Sequence, residues 1–120
     1  MKRWTVKHTP AAATQATITK AAETGRTHWV TGLIVTFVAG ASAPTAETLL
    51  VDLRAGATGA GNIIASWGMS IPAVAGSPRA PIALGDIEIP GEDGAALTLE
   101  FAAAGGANTV QAVTMIGETR

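Results

Sequence analysis

Apolar side chains along this chain recur at every second position, over short runs that end in clusters of Gly, Pro, Asn or Asp. That period marks strands, and no stretch carries the three-to-four spacing of a helix face. The strongest run, residues 29–38, places Trp29, Leu33, Val35 and Phe37 on one side and Val30, Ile34 and Val38 on the other. With both sides apolar, it is expected to be a central strand. Residues 48–54 alternate more simply, with Leu49, Val51 and Leu53 inward and Asp52 and Arg54 outward, as in a half-buried antiparallel strand.

The glycine-rich segment 56–62 reads as a turn, because repeated glycines favour positive φ and disfavour regular structure. It leads into residues 62–70, where Ile63, Ala65, Trp67 and Met69 share a face and Trp67 is the expected core anchor. Breaks are expected at 40–45 and 72–78. In residues 81–89, Ile82 and Leu84 fall out of phase with Ile87 and Ile89, and a bulge near Gly85-Asp86 would repair the register. Pro90-Gly91-Glu92-Asp93-Gly94 is a turn, and Leu97, Leu99 and Phe101 form the next inward stripe. After a turn at 105–108, residues 109–116 are apolar in both phases, which suggests a strand covered on both faces.

With a less regular strand at 13–20, the count reaches seven to eight short strands, and no helical crossover interrupts them. The expected fold is all-β: an antiparallel β-sandwich of jelly-roll or Greek-key type. Residues 1–12 lack obvious alternation and are read as an N-terminal arm, leaving 13–120 as a single sandwich domain. No fixed-period repeat is present.

Composition sharpens this picture. The chain has 120 residues, enough for one domain with its own core. Only 14% are charged against 48% hydrophobic, much of that alanine, so part of the weakly charged surface is expected to meet a partner. The net charge of −1 and the absence of a basic run interleaved with aromatics argue against nucleic acid. Without cysteine there is no disulfide, thiolate metal site or thiol nucleophile. Polar residues from Thr5 to Lys20 interrupt any export signal, and the uncharged stretches 29–46 and 55–78 are too broken by Gly, Pro, Ser and Thr to span a membrane.

Catalytic chemistry finds little purchase. His8 and His28 are the only imidazoles, too few for a cupin-like metal centre, and no cofactor is expected. Asp86 and Glu88, two apart, would share a strand face and form the one candidate carboxylate pair, read foremost as a solvated edge. Ser42, Ser66, Ser70 and Ser77 lack a nucleophile-elbow context, and Gly56–Gly61 lacks the Lys-Ser/Thr ending of a phosphate cradle. Trp29 and Trp67 are core-facing by phase, which leaves little for sugar stacking. Trp4, set among Lys2, Arg3 and Lys7, is the exception: an indole and a small basic patch suited to an acidic protein surface.

Four stretches carry a family resemblance: Leu-Arg-Ala-Gly-Ala-Thr-Gly-Ala-Gly at 53–61, Ile-Pro-Gly at 89–91, Leu-Thr-Leu-Glu-Phe at 97–101 and Gly-Ala-Asn-Thr at 106–109. In their order and style they resemble the head decoration, or cement, proteins of tailed bacteriophages, which have a jelly-roll fold. The resemblance implies a structural virion protein, not an enzyme, made in the host cytoplasm and bound to the outer capsid surface, where it bridges capsomers. Its implied partners are the major capsid protein and other copies of itself, a dimer before a trimer, with no role for nucleic acid or membrane. Lys2, Arg3, Trp4 and Lys7 are the expected capsid or partner contacts. The alternative is a tail-fibre or receptor-binding β-sandwich module that recognises a host glycan.

Overall fold

The computed structural model describes residues 1–39, 47–71 and 82–120. The breaks expected at 40–45 and 72–78, with Ser42 and Ser77, lie outside them. Among the described residues nine strands run in chain order: β1 (Lys2–His8), β2 (Thr17–Lys20), β3 (His28–Ala39), β4 (Glu47–Ala55), β5 (Asn62–Ile71), β6 (Ile82–Leu84), β7 (Ile89–Pro90), β8 (Leu97–Phe101) and β9 (Thr109–Thr119). They form two sheets. The first has the order β1-β9-β3-β6, with β7 also on β3; the second has the order β2-β8-β4-β5. Every pairing is antiparallel, so the protein is an all-β antiparallel sandwich.

Alternation builds the core. Leu33, Val35 and Phe37 of β3 and Val113 and Met115 of β9 face Leu49, Val51 and Leu53 of β4 and Leu97, Leu99 and Phe101 of β8, all buried. The Phe37 and Phe101 rings meet across the sheets at 6.3 Å. Burying side chains of this size contributes roughly 1.5–3 kcal/mol each. Gln111, also fully buried, closes one end: its Oε1 accepts from the Ala16 N–H at 2.9 Å and its Nε2 donates to the Ala103 carbonyl at 3.1 Å.

The structure departs from the sequence pattern in four places, each with a local cause. The stretch expected to be an arm carries β1, paired with β9 from Lys2↔Thr119 to His8↔Val113. Trp4, Val6 and His8 do alternate, and Trp4 and Val6 pack on the core. In β3, the register against β9 shifts between Val30 and Gly32, so Thr31 is an extra residue. That bulge turns Val30 inward and puts Trp29 on the outer face, where the Arg120 guanidinium lies 4.2 Å from its ring centre.

A matching break divides residues 81–89. β6 and β7 are separate short strands on β3, and between them Asp86 takes a φ of 52°. The Thr31 carbonyl freed by the bulge accepts the Ile87 N–H at 3.2 Å. The irregularity expected at Gly85-Asp86 is therefore present, and it has a counterpart on β3. A second bulge, opposite Leu53 and Arg54, skips Ile64 in the pairing; Ile64 packs inward and Ile63 is 51% exposed. Trp67 faces the core as expected, but on edge strand β5 it is only partly buried.

Candidate functional site

The two sheets have unlike outer faces. On the second sheet part of the outer face is covered by the chain itself, where Asp52, Thr98 and Glu100 are buried although alternation points them out, while Leu50 of β4 stays 49% exposed. Glu100 accepts from Arg54 Nε at 2.8 Å, from the Gly59 N–H at 3.0 Å and from Thr17 Oγ1 at 3.1 Å. Arg54 also lies 3.7 Å from Asp52, which accepts from Ser66 Oγ. Thr98 Oγ1 donates to the Gly56 carbonyl, so the glycine-rich turn folds back as a roof. The fold-back requires glycine at Gly61, where φ is 77° and a Cβ would lie 2.0 Å from the Ala55 carbonyl oxygen.

The first sheet is open on its outer face. Ile34 and Val38 of β3 are each 43% exposed and Ile116 of β9 is 37% exposed. Around them lie Val110, Ala112 and Thr114, half-buried, and at the β6 edge Ala83, exposed. Cross-strand register sets the rows: Lys7, Thr114, Ile34 and Ala83 form one, and Thr5, Ile116 and Gly32 the next. Apolar residues in both phases of β3 and β9 thus mean something other than two covered faces. β3 is central, as expected, but its second apolar face and that of β9 are presented rather than buried.

Charge borders this face along one edge and at one end. Arg3 and Lys7 lie outward on β1, exposed and with no ion pair among the described residues. At one end of the face Glu118 of β9, the register partner of Arg3, and Glu88 beyond β3 bind Arg120, Glu88 at 2.9 Å. These hydrogen bonds, Glu88 first, raise the Arg120 pKa. A shallow groove of about 520 Å³ runs along Arg3, Thr5, Thr31, Ile116 and Glu118.

The four contact residues expected from the sequence do not share one surface. Arg3 and Lys7 are on the open face, and Lys2 sits at the end of β1, 3.9 Å from Glu23. Trp4 turns inward: its Nε1–H donates to Thr119 Oγ1 at 3.1 Å and its ring meets His28 edge-on at 5.9 Å. His28 is fully buried. Its Nε2 is 2.7 Å from the Ala21 carbonyl, which can only accept, so the ring proton is there and Nδ1 accepts the Thr119 hydroxyl at 2.8 Å. Trp4, Thr119, His28 and Ala21 form one directed chain that is fully used internally.

His8 is likewise structural, accepting the Thr17 N–H on Nδ1 at 3.2 Å. The kink falls on Asp86 itself, so Asp86 and Glu88 do not share a strand face, and Glu88 is taken by Arg120. Among the described residues every buried side-chain N or O atom has a hydrogen-bond partner, and no three His, Asp or Glu side chains are grouped to hold a metal.

No family model matches this chain, nor does a curated protein or a solved structure.

The open face is what strand-by-strand alternation failed to reveal. Its signal was present: residues 34, 38, 110, 112 and 116 are apolar on positions that the alternation of Leu33, Val35, Phe37, Val113 and Met115 assigns to the outside. No such signal exists for the Glu100–Arg54–Asp52 cluster, which depends on where a loop folds.

Proposed function

We propose that this protein is a structural adhesion protein, a head decoration protein that binds the outside of a tailed-phage capsid and cements the shell by bridging capsomers. The observation that carries the reading is the open apolar face of the first sheet, bordered by Arg3 and Lys7, which form no ion pair among the described residues. On such a face, adhesion combines two physical terms. Apolar surface contributes about 25 cal/mol per Å² removed from water, and exposed cations orient and accelerate docking on an acidic partner more than they add to affinity.

Each contact is weak, and repetition on a lattice adds them through multivalency. The major capsid protein is the proposed partner, with other copies of this chain as the second. Arg3 and Lys7 are the proposed contacts, with Lys2 at the end of the same strand. Trp4 serves the reading indirectly, by fixing β1 to the core through Thr119.

The test mixes the purified protein with undecorated capsids and reads saturation stoichiometry by co-sedimentation. A fixed number of copies per capsomer is expected, with at least tenfold weaker binding for Ile34→Lys and a weaker, salt-sensitive effect for Arg3→Glu. Failure to bind any shell lattice, or equal binding by both variants, would overturn the reading.

A further inference from the structure

A sheet must manage its edges, because each is a row of main-chain N–H and C=O groups ready to pair with another chain. The first sheet ends in β1 and in β6 with β7; the second ends in β2 and β5. Three of these edges carry recognisable protection. β1 bears Lys2, Arg3 and Lys7. β2 has four residues, and β6 and β7 have three and two, separated by the Asp86 kink.

β5 differs. It has ten residues and no charge, and no charged residue occurs anywhere between Arg54 and Arg79. Among the described residues it pairs only with β4. Beyond the bulge at its start, the ladder runs without interruption from Ala65 to Ile71, and Trp67 packed on the core holds it extended.

We propose that β5 is a self-association edge: two copies of this chain pair β5 to β5, antiparallel, about a two-fold axis perpendicular to the sheets. The second sheet then continues from four strands into eight. Charge decides the occupant. A neutral strand offers nothing to an acidic or basic segment but meets an identical strand without repulsion, whereas pairing β1 with β1 would bring Lys2, Arg3 and Lys7 together. Two-fold pairing also makes the interface isologous and closed, so association stops at two.

The axis has a functional consequence, and this step alone rests on the shell reading. Rotation about the sheet normal leaves that normal unchanged, so both open faces of the first sheets point the same way. A β5-paired dimer is therefore a bivalent clamp with two coplanar adhesive faces.

The experiment is sedimentation equilibrium of the full chain, without shells, up to about 1 mM, the range of weak association. The expected result is a concentration-dependent doubling of mass, with slower amide exchange along β5 at high concentration. Gly68→Lys and Ser70→Lys each place a charge on exposed β5 positions, and a Cβ at Gly68 approaches nothing closer than 3.9 Å. Both are expected to remain monomeric with unchanged far-ultraviolet circular dichroism. A wild-type chain that stays monomeric overturns the proposal, as does a dimer that keeps its mass in both variants. Either failure leaves adhesion to shells standing, since no shell enters the measurement.

Discussion

Glu100 lies on the solvent side of β8, yet only 2% of it is exposed. Its carboxylate collects Arg54, Thr17 and the Gly59 N–H, and it pins the glycine-rich roof over the second sheet. Removing one partner of a buried pair costs more than the pair's net worth, because the remaining charge is left without compensation. Glu100→Ala is therefore expected to lower stability by about 3 kcal/mol in urea titration, and Glu100→Leu with Arg54→Met to recover most of that loss.

Glu23 shows the opposite case, a half-buried group at the surface. The hydrogen bond from Lys20 at 3.3 Å lowers its pKa, burial opposes this, and Lys2 adds to the lowering. A depressed carboxyl stabilises the folded state above its ordinary titration range and loses that contribution as pH falls through the depressed value. Glu23→Gln is expected to lower stability slightly at neutral pH and to leave it unchanged below about pH 3, which flattens the acid limb of a stability profile between about pH 5 and 3. Neither role was legible in the sequence. Alternation correctly sent Glu100 outward, but whether an outward group meets water or a folded-back loop depends on contacts between residues far apart in the chain.

At the scale of elements, alternation recovered β3, β4, β5, β8 and β9 because burying one face of a sheet forces period two. It failed where the backbone inserts a residue. The bulge at Thr31 exchanges Trp29 for Val30 in the core, and the pairing that skips Ile64 sends Ile63 outward. A bulge is stabilised by the strand opposite, so its position is not written in local pattern. Trp29→Ala is accordingly expected to cost about 1 kcal/mol, the loss of a surface cation–π contact, and Phe37→Ala about 3–5 kcal/mol. A core-facing Trp29 would reverse that order in denaturant titrations.

β1 was obscured for another reason: Lys2, Arg3 and Lys7 protect an edge strand with charges that make it look like a solvated tail. Deleting residues 1–8 removes the pairing along β9 and the Trp4–Thr119 bond. The truncated protein is expected to unfold at lower denaturant and to scatter light at rest, because β9 becomes a long edge with Glu118 as its single charge. An unstructured arm would be removed without either effect.

For the molecule as a whole, the informative asymmetry lies between its two outer faces. One is roofed by a glycine turn over the buried Asp52, Thr98 and Glu100, with Leu50 and Ile63 exposed beyond the roof; the other has no roof and presents Ile34, Val38 and Ile116 at 37–43% exposure. Residues that serve only the fold are costly to change, whereas exposed apolar residues kept for binding can be replaced without penalty to stability. Threonine is the discriminating replacement, since it keeps the β-branch that suits a strand and removes the apolar surface. The triple variant Ile34→Thr, Val38→Thr, Ile116→Thr is expected to keep its thermal midpoint within a few degrees, a change of about 1 kcal/mol. It should need more polyethylene glycol to precipitate and should lose adhesion to shells. A large drop in the midpoint would mean that these side chains support the sandwich itself, and the face would then have to be read as part of the core.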